Sequence, residues 1–234
     1  MEPWHFGDTY REDVRLRDGT EVVLRPIRAD DKAKLLEGFA RLSPDARYMR
    51  FHGVKTALTD DELRYLTELD GVRHFALGAV RRDPDGEERG VGVARYVQLD
   101  GEPGVAEAAI TVVDDMQGKG LGGLLFMRLC AAAAERGVQR FRCEVLGSNN
   151  VMQDLLRHLG TAAKAHVEAG VVTIELGLPG VPADHPPAEP PRESPMYQLL
   201  QLAAKGVLQL RDAVSRLLPH GDADDDAGGG GRPA

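Results

Sequence analysis

The segment that most constrains this chain is 110–125, ITVVDDMQGKGLGGLL, in which a strand pattern passes through a glycine-rich turn into a helix. Its glycines remove side chains where a phosphate group could approach the backbone; they are Gly118, Gly120, Gly122 and Gly123. The free N–H groups and the dipole of the first helical turn attract anions. A flexible turn without a ligand is the alternative, but each glycine there costs up to roughly 1 kcal/mol relative to alanine. The segment therefore predicts a phosphate-binding loop.

Two common phosphate-binding motifs fit this loop less well. A P-loop needs Ser or Thr after its lysine, whereas Lys119 is followed by Gly120. The dinucleotide pattern GxGxxG does match at Gly118, Gly120 and Gly123, and Glu144 stands about 20 residues on, as a ribose-binding acid would. Four residues separate the strand from the first glycine, however, and the unit follows antiparallel strands. The dinucleotide interpretation is therefore the weaker one.

Charge and cysteine content exclude several classes of protein. The 234 residues carry a formal net charge of -8, which argues against nucleic-acid binding, since that needs a basic surface. Cys130 and Cys143 have no CxxC neighbour and do not suggest a disulfide framework. The N-terminus lacks the apolar region of a signal peptide, and no run of 18 apolar residues occurs. We expect a cytoplasmic protein that does not contact membranes.

Hydrophobic periodicity and helix-capping residues predict the secondary structure. Strands are expected at 21–27, 75–81, 90–99, 107–113, 141–146 and 171–178. Helices are expected at 29–42, 43–51, 59–69, 120–136 and 150–159. Short connections between consecutive strands favour antiparallel pairing, and the later strand–helix–strand run favours a parallel crossover. The predicted fold class is α/β, with a mixed, mostly antiparallel sheet and helices on both faces.

Changes in composition divide the chain. We expect an N-terminal segment at 1–20, a globular domain at 21–180, a proline-rich linker at 181–194, an amphipathic helix at 195–218 and a disordered acidic, glycine-rich tail at 219–234. Apolar residues in the fourth range recur at spacings of four and three, a heptad stripe. That stripe suits docking on the domain or pairing with a second copy of the chain.

The loop and its surroundings resemble a known family. Residues 117–122, QGKGLG, are similar to the Q/R-x-x-G-x-G/A pyrophosphate loop of the GNAT N-acetyltransferases, and Asn149 opens the next helix in that family's order. Residues 43–51, SPDARYMRF, resemble the SP…RYxRF signature of bacterial protein lysine acetyltransferases. Residues 106–112, AEAAITV, look like that group's fourth strand, which carries its catalytic glutamate. The resemblance implies a GNAT-like fold.

The resemblance also implies acetyl-CoA as cosubstrate, and no metal. It places the backbone of Ile110 and Val112 beside the pantetheine arm and the loop N–H groups at the pyrophosphate. The implied cofactor-binding residues are Ile110, Thr111, Val112, Gln117, Gly118, Lys119, Gly120, Leu121, Gly122 and Asn149. Two of these have simpler alternatives: Lys119 would bind a phosphate or remain a solvated loop lysine, and Asn149 would bond pantetheine or cap its own helix.

Glu107 is the catalytic residue that the resemblance implies, as a general base. Strand alternation puts Glu107 on the side of Ala109 and Thr111; without the resemblance, Glu107 would be a solvent-facing strand residue. Many GNAT enzymes have a tyrosine acid seven residues after the asparagine, but Leu156 stands there. The acceptor implied is a protein with an accessible lysine; a small amine is the alternative, and a non-catalytic acyl-CoA sensor is a second one.

Charged residues around residues 43–70 suggest a substrate cleft. We expect Arg47 and Arg50 to brace the helices through buried carboxylate pairs. An acidic set would draw in a cationic lysine or form a solvated helix face; its members are Asp60, Asp61, Glu62, Glu68 and Asp70. Cys130 lies in an apolar run and is expected in the core.

Overall fold

The fold was analysed in a computed structural model that describes residues 4–83, 86–159, 164–168 and 170–178. The linker, C-terminal helix and tail expected at 181–234 lie outside the described residues. The strands are β1 Glu12–Arg15, β2 Glu21–Pro26, β3 His74–Arg82, β4 Glu88–Gln98, β5 Val105–Val112, β6 Arg140–Leu146, β7 Lys164–Glu168 and β8 Val171–Gly177. The helices are α1 Lys32–Ala40, α2 Pro44–Phe51, α3 Asp60–Thr67, α4 Leu121–Glu135 and α5 Asn150–Leu159, with short 3₁₀ turns at Ala29–Asp31 and Asp114–Met116.

The eight strands in the described part of the chain join one sheet in the order β1-β2-β3-β4-β5-β6-β8-β7. Every neighbouring pair is antiparallel except β5 and β6, which are parallel because the crossover through α4 connects them. The predicted mixed, mostly antiparallel sheet is confirmed. Two strands were not expected from the sequence: β1, which lies within the range assigned to the N-terminal segment, and β7 at the opposite edge.

Helices cover both faces of the sheet. A Cβ on Gly92 of β4 would meet Leu125 of α4 at 3.0 Å, so Gly92 faces α4. Its neighbour Val93, together with Arg95, faces the cavity under α1 and α3. Val91 is an extra residue in β4 at a β-bulge opposite the Ala79–Val80 step of β3. The bulge resets the alternation of side chains along β4. Beyond it, ordinary alternation directs Gly92 toward α4 and Val93 toward α1 and α3.

Local capping explains where the helices begin and end. The Ser43 hydroxyl accepts a hydrogen bond from the Ala46 N–H at 3.1 Å, with Pro44 at the first helical position. Thr59 and Glu62 form the predicted capping box at the start of α3. Helix α4 ends before Gly137, whose φ of 77° suits a residue without a side chain.

The core lies mainly between the sheet and α4. The largest side chains buried there come from both layers: Leu24, Leu77, Tyr96, Leu121, Leu125, Leu129 and Phe141. The Phe141 ring lies 6.0 Å from that of Phe126 and 5.9 Å from that of Tyr96. This packing fixes α4 against the sheet, and so fixes the position of the glycine loop that begins α4.

Candidate acetyl-CoA and acceptor site

Strands β5 and β6 separate in the middle of the sheet. They pair in parallel at Val105–Arg140, Ala106–Phe141 and Glu107–Arg142. Beyond Glu107, β5 continues along β4 to Val112, while β6 continues along β8 to Leu146. Among the described residues no further β5–β6 pair follows. The sheet therefore opens into a V-shaped gap that starts at Glu107.

The backbone of β5 offers hydrogen-bonding groups along this gap. The Val113 N–H donates to the Val91 carbonyl of β4 at 3.1 Å. Because backbone direction alternates along a strand, the N–H groups of Ile110 and Val112 point the other way, into the gap. The side chains of Ile110 and Val112 pack against the core. An extended polar chain could lie in the gap and pair with β5 as a strand would.

The glycine loop lies at the end of β5. Gly118 and Gly120 have φ of 72° and 87°, a left-handed conformation that glycine adopts without strain. Gly120 is the N-cap of α4 and supplies no side-chain cap, so the first-turn N–H groups remain available for another acceptor. A Cβ on Gly118 would have no atom within 4 Å, so the space beside it is open. The loop thus fits a pyrophosphate group.

Three polar side chains of the predicted cofactor set make contacts within the protein. The Gln117 amide donates to the Val112 carbonyl at 3.2 Å and to Asp114 at 2.9 Å, which ties the loop to β5. The Lys119 ammonium lies 2.8 Å from Asp18 in the β1–β2 turn, and its hydrogen bond is the main reason that the pKa of Asp18 falls to about 2. The Asn149 side chain accepts the Met152 N–H at 3.1 Å, which is the capping alternative.

Glu107 lies where the gap begins. No register shift interrupts β4 and β5 here, so Glu107, Ala109 and Thr111 share one face, as the alternation predicts. Thr111 lines the cavity under α1 and α3, which identifies that face. The Glu107 side chain is exposed, and within the described residues its carboxylate has neither a hydrogen bond nor an ion pair.

The expected carboxylate pairs of Arg47 and Arg50 are absent among the described residues. The Arg47 guanidinium lies 4.5 Å from the centre of the Phe39 ring and donates to the Ala40 carbonyl at 3.1 Å. The Arg50 guanidinium lies 5.1 Å from the centre of the Phe51 ring. The expectation was wrong because Arg47 and Arg50 contact aromatic rings and a backbone oxygen. Asp114, which lies at the start of α2, accepts the Ser43 N–H at 2.7 Å instead.

Four of the five acids in the predicted acidic set make contacts within the protein, namely Asp61, Glu62, Glu68 and Asp70. Glu62 completes the α3 capping box and pairs with Lys55; Glu68 lies 2.5 Å from Lys32. Asp61 pairs with Arg64, one turn along α3. Asp70 accepts the N–H groups of three following residues, Val72, Arg73 and His74. The solvated, helix-capping interpretation accounts for these residues.

Neither cysteine is suited to chemistry at the site. Both are free and buried, and Cys130 belongs to the core as expected. Burial raises the pKa of both thiols, that of Cys143 to about 12. Leu156 is 1 % exposed, so the position where many GNAT enzymes place a tyrosine is occupied by core packing.

Arg95, His74 and Tyr65 were not expected at the site from the sequence. The Arg95 guanidinium, 5 % exposed, lies 3.1 Å from the His74 ring, and Tyr65 stacks on His74 at 4.7 Å. Arginine only donates, so the His74 nitrogen accepts. Burial, and then the Arg95 charge, lowers the pKa of His74 to about 4, which keeps the ring neutral. The one signal in the sequence was an arginine amid the apolar residues of VGVARYV.

Comparison with known proteins agrees with this geometry. Residues 21–162 match the model of the family described as acetyltransferase (GNAT) domain. Acetyltransferase Pat of Mycolicibacterium smegmatis is 36 % identical over 184 residues, which are 76 % of this chain and 51 % of that protein. Acetyltransferase PA5475 of Pseudomonas aeruginosa is 34 % identical over 154 residues, which are 66 % of this chain and 81 % of that protein.

Solved structures show the same fold. The crystal structure of the GNAT domain of S. lividans PAT has a TM-score of 0.66 and 31 % identity, and the match covers 76 % of this chain and all of that one. The cAMP-binding acyltransferase from Mycobacterium smegmatis has a TM-score of 0.51 and 30 % identity, covering 88 % of this chain and 56 % of that one.

This chain belongs to the GNAT acetyltransferase family, and its domain resembles the GNAT domain of bacterial Pat protein lysine acetyltransferases. It is therefore an acetyltransferase, and GNAT enzymes use acetyl-CoA. The chain spans about half the length of the Pat protein it matches. Among the described helices, none combines the length and the apolar character needed to cross a membrane.

Proposed function

We propose that this chain transfers the acetyl group of acetyl-CoA to the ε-amino group of lysine in a protein substrate, with Glu107 as general base. The observation that carries the proposal is the position of Glu107 at the point where β5 and β6 separate, with no hydrogen bond or ion pair to any described residue. From that point the β5 edge leads to the glycine loop. The proposed reaction needs no metal, and we place it in the cytoplasm, where the two buried free thiols would stay reduced.

The residues present fit acetyl-CoA. The outward N–H groups of Ile110 and Val112 would hold the pantetheine arm, and the first-turn N–H groups of α4 would hold the pyrophosphate. When bound there, acetyl-CoA supplies an acyl group on a good leaving thiol. Lys119 would have to leave Asp18 to reach a phosphate, so its proposed contribution is the weakest of the set.

Glu107 addresses the main chemical difficulty on the acceptor side. A lysine amine must lose its proton before it can attack, which costs about 4.6 kcal/mol at pH 7 for a pKa of about 10.4. The Glu107 carboxylate can accept that proton directly or through one water. A backbone N–H on β5 in the gap would stabilise the charge that forms on the thioester oxygen.

Exposed apolar side chains favour a protein acceptor over a small amine. Tyr48 on α2, Val54 after it and Tyr65 on α3 are 47 %, 91 % and 57 % exposed. Tyr65 contacts His74 next to Arg95, so this surface reaches the rim of the site. Exposed aromatic side chains beside a site are typical of surfaces that bind other proteins.

The experiment that tests the proposal measures thiol release from acetyl-CoA with a lysine-containing protein as acceptor. Glu107→Gln keeps the shape of the side chain but removes the base, so kcat/KM should fall 10²–10⁴-fold while acetyl-CoA still binds. The residual rate should rise with pH, because free amine replaces the missing base.

The matched control is Glu144→Gln, the same change at an exposed carboxylate of β6. It should keep the native rate. A near-native rate for Glu107→Gln would show that Glu107 is a strand residue without a catalytic role. Binding of CoA by the native chain without any thiol release would favour an acyl-CoA sensor instead, and acetylation confined to small amines would favour the small-molecule alternative.

A further inference from the structure

A cavity of about 90 Å³ lies between α1, α3 and the sheet. Its charged lining consists of Arg25, Asp31, Lys34, Arg50 and Arg95. Four of these side chains are cationic and one is anionic, in a chain whose net charge is -8. The cavity thus has a charge opposite to that of the molecule as a whole.

Asp31, the one acid among the described residues that line the cavity, is already neutralised. Asp31 accepts two hydrogen bonds from Arg25, at 2.6 and 2.7 Å, and lies 3.6 Å from the Lys34 ammonium. It also accepts the Arg28 N–H at 2.9 Å. No part of this carboxylate is left to balance the remaining cations.

Among the described residues, no carboxylate forms a hydrogen bond or an ion pair with Arg50 or Arg95. Arg95 uses N–H groups toward the His74 ring at 3.1 Å and the Leu66 carbonyl at 3.2 Å, both neutral acceptors. Arg50 has no hydrogen bond or ion pair within the described part of the chain, although Glu107 lies within range of its charge. Burial, and then the Arg50 charge, lowers the pKa of Arg95 to about 9, so Arg95 remains charged at pH 7.

Arg95 is buried and Arg50 is half-buried. A buried guanidinium group without an acid is costly, and an arginine fork matches the two oxygens of a carboxylate. The cavity exceeds the roughly 10–15 Å³ that a single water requires. Its position also relates it to the proposed base. Arg95 pairs with Ala109, which shares a face with Glu107 two residues along β5, or about 7 Å away.

We propose that Arg50 and Arg95 form a carboxylate-binding site that selects acceptors carrying an acidic group near the amine to be acetylated. This inference rests on the proposed function for its link to the acceptor. In a protein substrate the acid would be an Asp or Glu side chain close to the target lysine; in a small acceptor it would be the molecule's own carboxylate.

The first test compares two lysine peptides that differ only by Glu or Gln two positions after the lysine. The native chain should acetylate the acidic peptide with a kcat/KM about 10- to 100-fold higher, as a charged buried hydrogen bond implies. Arg50→Met and Arg95→Met should bring the ratio of the two kcat/KM values close to one. The matched control, Arg47→Met on the same helix but outside the cavity, should keep the native ratio.

The second test needs no acetyl transfer. Glutarate should raise the melting temperature of the native full chain and of Arg47→Met, but not that of Arg50→Met or Arg95→Met. If Arg95→Met does not fold, the glutarate effect on the melting temperature of Arg50→Met decides the test. A peptide preference supports an acidic side chain as the ligand; a glutarate effect without that preference supports a free carboxylate.

The inference is overturned if neither the peptide ratio nor the glutarate effect depends on Arg50 and Arg95. If the native chain acetylates no peptide at all, the proposed lysine substrate fails, and the glutarate titration alone decides whether the cavity binds a carboxylate.

Discussion

Gly120 is required for two separate reasons, one conformational and one spatial. Its φ of 87° lies in the left-handed region, where any side chain is strained, and it is also the N-cap of the helix proposed to hold the pyrophosphate. Gly137, at the other end of α4, has a similar φ of 77° and lies away from the loop. Comparing the same substitution at the two glycines therefore separates the effect of backbone strain from the effect of filling the ligand site.

Gly120→Val should abolish detectable acetyl-CoA binding, or weaken it at least about tenfold, because the added side chain enters the space of the pyrophosphate. Gly137→Val is the control and should lower the melting temperature to a similar extent while keeping the affinity. Calorimetric titration with acetyl-CoA measures the affinity of each variant, and thermal unfolding measures its melting temperature. Equal affinities in the two variants would contradict the phosphate-loop assignment.

His74 makes stability depend on pH. Its pKa is about 4 in the folded chain and about 6.5 when unfolded, so the unfolded state binds more protons between these values. The contribution of His74 to the free energy of unfolding is therefore fully present above pH 6.5 and is lost as the pH falls toward 4.

His74→Gln keeps an acceptor for Arg95 but does not titrate. Relative to this variant, the native chain should lose about 1–2 kcal/mol of unfolding free energy between pH 7 and pH 5. Urea unfolding at the two pH values measures the difference. The exposed His166→Gln serves as control and should behave like the native chain; a native-like pH response in His74→Gln would mean that another group titrates.

At the scale of elements, β1 is held by a buried ion pair as well as by its pairing with β2. Arg128 of α4, with its side chain 3 % exposed, donates to Glu12 at 2.6 and 2.8 Å. Burial alone would raise the pKa of Glu12, but the hydrogen bonds and charge of Arg128 outweigh it, and the pKa is lowered. The pair joins the edge strand to the central helix.

Glu12→Gln should destabilise the chain by about 3–5 kcal/mol, because it leaves the Arg128 charge buried without a partner. Glu21→Gln, at an exposed position of the neighbouring strand β2, should change stability by less than about 0.5 kcal/mol. Chemical denaturation followed by circular dichroism tests both. A small effect of Glu12→Gln would mean that water reaches Arg128 once the carboxylate is gone.

At the scale of the whole molecule, residues 4–178 complete the sheet and the core that the structure describes. The GNAT domain of S. lividans PAT was solved as a domain, and this chain covers all of it. We therefore expect that the domain does not need the residues after 180 to fold.

A chain ending at residue 180 should keep a cooperative thermal transition and its acetyl-CoA affinity. A chain beginning at residue 17 should be clearly less stable, since it loses the buried side chains of Phe6, Val14 and Leu16. It also loses the ion pair between Glu12 and Arg128. Melting curves and sedimentation of the three chains decide this. An insoluble 1–180 chain would show that a later segment covers an apolar face, and a smaller oligomer alone would identify a pairing segment.

The amino-acid sequence by itself predicted most helices and strands, because their signals are local. Capping at Ser43 and Thr59, and alternation in β5, depend on neighbours a few residues apart. It missed β1 and β7 because short edge strands bury few side chains; β1 reads EDVR, and in β7 Val167 is 65 % exposed. Their place in the sheet depends on partners distant in sequence.

The proposed cofactor residues could also be named from the sequence, because the resemblance to the GNAT family rests on motifs in short continuous segments. What only the tertiary structure decided is the surroundings of Glu107. These are the separation of β5 from β6, and the cavity where Arg50 and Arg95 meet and where no described carboxylate bonds to either of them. The sequence suggested carboxylate partners for the α2 arginines. Charge compensation depends on which side chains the fold brings together across α2 and β4, and spacing along the chain does not contain that information.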